Sequence, residues 1–568
     1  LKRIVIDPVT RIEGHLRIEV TVEDGRVSDA WSASTMFRGM ELVLRDRDPR
    51  DAWLFAQRIC GVCTTVHALA SVRAVEDAVG ATPPLNARLI RNVIAGTQIV
   101  QDHVVHFYHL HAFDWVDVEA ATRADPAATS RLAQSRSTWP KSSAGYFTGI
   151  RDKIKAIVDS NQQSLFANGY WGHPAYRLSP EANLLLVAHY LEALDWQREL
   201  MRVQAILGGK NPHPQTYLVG GMAIPIDLNS QAALNMVRLD EQRKILERAK
   251  AFVEQVYQPD AMLIAAHYPE WFGYGAGHKT YMAYGDYAEP STDVENYRFA
   301  RGIVRASQGL KLDTVDQSKI GEYVTRSWYT YPDEKHALHP WKGQTNPKFT
   351  GPQPPFELLD VDNKYSWGKA PRYADEVMEM GPLARLLVSY AAGRPDITKM
   401  VDGTVLALNL EPAKLSSTLG RVVARALETG LITEWLLQWH DQLVANIGRG
   451  DIAVHDGEFW EPSSWPAECE GWGAHEAPRG SLGHWIRIKN GVIENYQAVV
   501  PTTWNASPRD ARGVRGPYEE SLVGTPVADS ERPLEILRTL HSFDPCMACA
   551  VHVLDARANI DVRVLAGW

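Results

Sequence analysis

Arg58-Ile59-Cys60-Gly61-Val62-Cys63, near the start of the chain, and Asp544-Pro545-Cys546-Met547-Ala548-Cys549, near its end, are the stretches on which the reading of this sequence turns. Each holds a Cys-x-x-Cys pair. Thiolates three residues apart can face one metal centre, so two pairs make a four-sulfur site. Three chemistries fit: a structural zinc, a redox-active dithiol, and a catalytic nickel or iron centre. On spacing alone the structural zinc leads. Zinc ribbons, however, bring their pairs together within tens of residues, and here more than 480 positions separate Cys63 from Cys546. A site closed from both ends of a large chain belongs in its interior. No βαβ pattern surrounds either pair, which counts against a thioredoxin-like dithiol. His67 falls four residues after Cys63, on the same face of an expected helix, where it can hydrogen-bond a metal-bound sulfur. By itself it reads equally well as a satisfied core histidine. Asp544 two residues before Cys546, and His552 three after Cys549, crowd acid, thiolate and imidazole together, as a reactive centre does.

Working outward, the composition sets bounds. The chain has 568 residues, 45% hydrophobic and 22% charged, the mix of an ordinary globular protein with a sizeable core. A net charge of −9 and a pI near 6.1 count against a nucleic-acid partner. Five cysteines are too few for a disulfide scaffold, and the unpaired Cys469 reads as structural. No apolar run of membrane-spanning length is free of charge, and Leu1 to Pro8 show no secretory core. Contact with a membrane, and export, are therefore expected only through a partner.

Periodicity gives a mainly α (α+β) chain: one large domain over 1–568, with a helical-bundle core and small β elements near both ends. His15 to Val22 alternates, Asp24-Gly25 turns, and Val27 to Ala33 returns, so residues 1–35 form a hairpin region. Helices are expected over Thr64–Val79, with Thr64 as cap, and over 86–112, 181–207 after Pro180, 231–257 and 415–447. The stretch 267–373, rich in Tyr, Trp, Pro and Gly, reads as ordered but irregular loop. Trp485 to Ile488, Asn490-Gly491 and Val492 onward make a late hairpin, and 533–542 a short helix before the second cysteine pair. His103, His106, His109 and His111 punctuate one helix. The apolar residues between them favour hydrogen-bonded core histidines over a metal site.

Six motifs in fixed order carry a resemblance. They are Thr10-Arg11-Ile12-Glu13-Gly14-His15; Phe37-Arg38-Gly39-Met40-Glu41; Arg58 through His67; Glu476-Ala477-Pro478-Arg479-Gly480; Val500-Pro501-Thr502-Thr503-Trp504-Asn505; and Asp544 through His552. Together they resemble the large subunit of the nickel–iron hydrogenases, of the membrane-bound or periplasmic uptake type, over nearly the whole chain. The resemblance implies a Ni–Fe centre whose iron carries CO and two cyanides. Cys60 and Cys546 become terminal nickel ligands, and Cys63 and Cys549 bridges. Arg479 and Thr502 become donors toward a cyanide, and Pro478 and Pro501 an apolar wall. Asp102 and Asp544 pair with Arg479. Glu41, the Ala498 carbonyl and His552 become ligands of a magnesium-type ion, a hard cation suited to oxygen. Without the family, Asp102 is an ordinary polar helix residue and Glu41 a partner for Arg38 or Arg45.

The implied reaction is reversible heterolytic cleavage of H2, with Cys546 passing the proton to Glu13. Glu13 read alone is a strand-end carboxylate paired with Arg11. Arg479 is read as an electrostatic positioner, since a guanidinium resists deprotonation. With four cysteines committed, Cys469 cannot hold an iron–sulfur cluster, so an iron–sulfur small subunit is expected to take the electrons. That partner would also bring about export, giving a periplasmic or membrane-associated enzyme, with a cytoplasmic one left open. Residues 553–568 resemble the peptide that a maturation endopeptidase removes after nickel insertion. Two rivals stand beside this reading: a zinc-stapled interaction protein, and a quinone-binding relative from a respiratory complex, which would lack the four cysteines.

Overall fold

The structure is a computed structural model that describes residues 2–160, 166, 169–288, 290, 292–351 and 358–550. His552 and the stretch 553–568, for which a ligand and a removable peptide are expected, lie outside the described residues.

The alternating N-terminal segment folds as Leu16–Glu23 antiparallel to Arg26–Ser34, with Asp24-Gly25 at the turn, and Lys2–Ile6 adds an outer strand on Leu16–Glu23. One edge is tied to the far end of the sequence: Val27 donates to the Thr525 carbonyl at 3.0 Å, and Gly524 to that of Val27 at 2.8 Å. Glu13 and Cys546 form a parallel bridge, in which Met547 donates to the Glu13 carbonyl at 2.8 Å. Gly14 permits this approach. Its φ is +78°, and a Cβ there would lie 2.7 Å from the Ala548 nitrogen.

The central bundle is built from long helices whose apolar faces meet. Leu85–Val105 packs on Thr418–Gly448 and on Pro180–Gly208. Around these lies one large cluster containing the fully buried Trp115 and Trp439. The caps follow local chemistry: Ser179, Asn235 and Ser417 each accept from a backbone N–H of the first turn. Asn235 explains why the helix expected from 231 starts at Met236. Thr64 is not a cap. The helix runs Val66–Val79, and the Thr64 hydroxyl instead donates to Gln98 Oε1 at 3.2 Å. The helix expected to reach 112 ends as α at Val105 and continues as one π turn, His106–His111. Its histidines each meet a partner: Glu428 for His103 at 2.6 Å, the His541 carbonyl for His106 at 2.6 Å, the Tyr190 carbonyl for His109 at 3.1 Å, and Asp114 for His111 at 2.9 Å.

Two features escape the periodicity. Within 267–373 lie the three-stranded sheet Thr280–Ala283, Gly302–Arg305 and Lys311–Asp313, and Ile320–Tyr323 paired with Ala370–Tyr373. These strands have only three or four residues, too short to show a period. The late hairpin is the second half of a three-stranded sheet, Glu468–Ala477, Gly480–Lys489 and Val492–Val499. Its first strand lies directly on the Val66–Val79 helix. A Cβ on Gly473 would fall 1.9 Å from the Ala70 carbonyl oxygen, so only glycine lets strand and helix meet this closely. The first cysteine pair thus sits between the N-terminal sheet, the late sheet and the C-terminal helices.

Candidate metal centre

The turn before the Val66–Val79 helix presents Cys60 and Cys63; Cys546 stands in the backbone bridge to Glu13, and Cys549 in the short Met547–Ala550 helix that follows. Cys60 Sγ lies 3.4 Å from Cys546 Sγ, Cys63 Sγ 3.3 Å from Cys549 Sγ, and Cys546 Sγ 3.0 Å from Cys549 Sγ. All four sulfurs fall within 4.8 Å of one another, buried and unpaired by disulfides. A disulfide would need about 2 Å. Burial pushes the Cys63 thiol up to about 11 and those of Cys546 and Cys549 well above the ordinary range. Four anionic sulfurs this close require a cation between them, and metal binding replaces the thiol protons. The donor set therefore fits a soft metal centre.

Above the sulfurs, Pro478, Arg479, Pro501, Thr502 and His67 line one small cavity with Cys63, Cys546 and Cys549. Arg479 Nη1 lies 3.2 Å from Asp102 Oδ2, Nη2 lies 3.1 Å from Asp544 Oδ1, and Nε donates to the Asp544 carbonyl at 3.1 Å. Burial opposes the Arg479 charge, yet Asp544, Cys546 and Asp102 hold it protonated far above neutrality. Burial lifts Asp102 to about 8, with the negative charge of Asp544 and Cys60 adding to the rise and Arg479 opposing it. Gln98 donates to Asp102 Oδ1 at 2.7 Å and fixes that carboxyl. The Thr502 hydroxyl oxygen accepts from the Cys546 N–H at 3.2 Å, which leaves its own hydrogen to donate. Asp544 has φ +57°, a left-handed turn that aims both its carboxyl and its carbonyl at Arg479.

Glu13 Oε2 lies 3.3 Å from Cys546 Sγ and accepts from the Ala548 N–H at 2.8 Å. Burial, and then the Cys60 sulfur, raise its carboxyl above the ordinary range. Its expected partner, Arg11, is engaged elsewhere, 2.6 Å from Asp114 Oδ1. His67 Nε2 sits 3.4 Å from Cys549 Sγ.

Glu41 is buried away from Arg45. Its Oε1 accepts from the Ala498 N–H at 3.0 Å, and its Oε2 from the Thr345 hydroxyl and from Gln497 at 3.3 Å. Arg38 donates instead to the carbonyls of Arg58 and Ile59, bracing the turn into Cys60. A second cluster able to hold an ion by geometry, His111, Asp114 and His541, is already satisfied: Trp115 donates to His111 Nε2 at 3.0 Å, and Arg11 neutralises Asp114.

One residue that shapes the site carries no signal in the sequence. Arg385 forks onto Glu428 (Nη2 to Oε1, 2.5 Å), reaches Glu476 at 3.1 Å, and donates to the Ala477 and Pro478 carbonyls at 2.6 and 3.0 Å. It thereby holds the turn that presents Arg479. It is one charged residue on an apolar helix, and only its fold neighbours reveal it.

Fold and site together define a metalloprotein whose buried four-thiolate centre is closed by the two ends of one chain. The chain belongs to the nickel-dependent hydrogenase family, whose family model matches residues 38–552. A further model, described as HoxL-like, matches residues 3–33. The uptake hydrogenase large subunit of Bradyrhizobium diazoefficiens is 51% identical, covering 97% of this chain and 95% of the relative. The hydrogenase-1 large chain of Escherichia coli is 47% identical over 99% of this chain and 97% of its own length. Among solved structures, the reduced Ni-Fe-Se hydrogenase from D. vulgaris Hildenborough superposes with a TM-score of 0.76 at 35% identity, over 97% of this chain and all of the other. Membership decides against the zinc-stapled and quinone-binding rivals. The mixed α+β fold with a helical core is that of these enzymes.

Proposed function

We propose that this chain is the catalytic subunit that splits H2 reversibly and heterolytically, and that Cys60, Cys63, Cys546 and Cys549 are the residues that would hold its Ni–Fe centre. The single observation that carries the reading is the meeting of four buried sulfurs with a buried carboxylate on one of them. When bound, the metal pair, with CO and two cyanides on iron, supplies the polarising and electron-accepting chemistry. The protein does the rest. Cys546 Sγ takes the proton and Glu13, 3.3 Å away, accepts it; burial raises the carboxyl's proton affinity above its ordinary value, which helps it accept. Arg479, charged and fixed by Asp102 and Asp544, sets a positive field over the open side of the centre and offers N–H to a cyanide, as Thr502 offers its hydroxyl. Pro478 and Pro501 would wall the diatomic ligands with apolar surface.

Cys469 lies apart on an outer strand, so among the cysteines none remains for an iron–sulfur cluster, and electrons leave through an iron–sulfur small subunit. No helix among the described residues is long and apolar enough to cross a membrane. A periplasmic or membrane-associated location, reached with that partner, fits the uptake enzymes it resembles. Glu41, the Ala498 carbonyl and His552 hold a magnesium-type ion. The oxygen-rich surroundings of Glu41, with Thr345 and Gln497, support this. Residues 553–568 are removed by a maturation endopeptidase once nickel is in place.

An anaerobic infrared spectrum of the purified heterodimer, with metal analysis and intact mass, tests the set. Metal-bound CO and cyanide bands, one nickel per large subunit with iron in excess of it from the small subunit's clusters, and a chain ending at His552 are expected. Zinc in place of nickel, with no such bands, would overturn it.

A further inference from the structure

Behind His67 the structure continues a line of hydrogen bonds that the centre's own residues do not require. His67 Nδ1 lies 3.0 Å from His484 Nε2, and His484 Nδ1 lies 2.5 Å from the Tyr496 hydroxyl. All three side chains are almost wholly buried. The late sheet sets the spacing. His484 faces Ala498 across the strand pair, which puts Tyr496 on the diagonal of the same face. The same sheet is pinned to the helix of His67 by the close approach at Gly473.

The order of hydrogens along this line follows from what each end can do. His484 is wholly buried, with His67 and the Tyr496 hydroxyl rather than an acid as its partners, so its ring is neutral, with one N–H and one nitrogen without hydrogen. The Tyr496 phenol is an O–H group, buried with its oxygen on His484 Nδ1, and can donate to it. A metal-bound thiolate at Cys549 only accepts. A neutral His67 then donates from Nε2, which leaves Nδ1 without a hydrogen. His484 must donate to it from Nε2, and its own Nδ1 must accept from Tyr496. With His67 neutral, this arrangement gives each of the three contacts one donor and one acceptor.

Resting on the nickel–iron reading above, we propose that His484 and Tyr496 are positioning residues that lock His67 as a donor to the Cys549 sulfur and so draw electron density from that bridging ligand. Neither touches the reacting atoms. They act by fixing the tautomer and aim of a ligand's partner, the way outer residues orient metal-bound groups elsewhere. A bridging sulfur that loses its donor becomes a stronger electron source. The iron then gives more density to its CO, whose stretching band falls in frequency, and the potential of the centre becomes more negative.

Three variants of the metal-loaded heterodimer test this: Tyr496→Phe, His484→Leu and His484→Gln, each with metal content, thermal midpoint and CO stretch measured. His484→Leu removes the donor and is expected to lower the CO frequency most. His484→Gln keeps an N–H toward His67 and should return most of the way to the native band. Tyr496→Phe, which frees His484 to adopt the other tautomer, should fall between and retain the fold. A purely structural role would change the thermal midpoint and leave the band in place. Unshifted CO bands in Tyr496→Phe and His484→Leu, at native metal content, would overturn the proposal. If His484→Leu fails to take up metal, Tyr496→Phe decides alone. A native enzyme without CO bands would instead remove the nickel–iron reading itself.

Discussion

Glu13→Gln isolates the proton route from the rest of the centre. The amide has the size of the carboxyl, and its oxygen can still accept from the Ala548 N–H now bonded at 2.8 Å. Exchanging a charged acceptor for a neutral one there costs about 1 kcal/mol, too little to unfold a chain this large. The parallel bridge between Glu13 and Cys546 uses backbone atoms and survives, so the cysteines keep their places. What is lost is the group 3.3 Å from Cys546 Sγ that can gain and release a proton. Removing such an acid–base group slows a reaction by roughly 10²- to 10⁴-fold, about 3–5 kcal/mol of barrier. The assay is exchange of D2 with solvent protons, followed by mass spectrometry, alongside nickel and iron content and the infrared bands. Exchange is expected to fall by that factor with metals and bands unchanged. Exchange within about threefold of native, at full metal content, would refute the relay, because a dispensable carboxylate cannot be the main proton acceptor.

Four further outcomes are expected. Arg479→Lys keeps the charge but cannot bond Asp102 and Asp544 together, and H2 oxidation should drop about 10²-fold or more with the metals retained. Cys549→Ser should leave most chains without nickel, read by elemental analysis, since a hydroxyl is a poor substitute for a soft thiolate. Although burial would raise it, Arg385 and a hydrogen bond from His103 hold Glu428 down from its ordinary 4.5 to about 2. Its folded value lies below its unfolded one, so its contribution, about 3 kcal/mol, is present above about pH 4.5 and lost as pH falls toward 2. Arg385→Met, which strands Glu428 and Glu476, should cost about 3–5 kcal/mol in denaturant titration at neutral pH and flatten that acid dependence. Gly473→Ala should cost about 1–3 kcal/mol by forcing its strand off the Val66–Val79 helix; an unchanged thermal midpoint would count against that contact.

Much of the local structure was legible because it follows from nearest neighbours. The Asp24-Gly25 and Asn490-Gly491 turns, the helix opened by Pro180, and the interior position of the cysteine pairs all follow from backbone preference and burial period. Where several local options competed, the nearest one in sequence was misleading. Thr64 was available as a cap but bonds Gln98; Arg11 stood beside Glu13 but pairs with Asp114; Arg38 stood near Glu41 but braces the turn before Cys60. In each case a partner far along the chain offered a buried, better-aimed bond than the neighbour did.

By itself, then, the sequence determined which atoms could bind metal and in what order the motifs fall. Four soft sulfurs, a carboxylate at 13 and a guanidinium at 479 are properties of residue types. Tertiary structure alone decided that Glu13 stands on Cys546, that Arg385 carries the turn of Arg479, and that His484 and Tyr496 stand behind His67. These pairings join residues from 12 to 533 positions apart. The choice among such partners depends on burial, which strengthens a satisfied polar contact and penalises an unsatisfied one, and burial exists only once the whole chain has closed around the site.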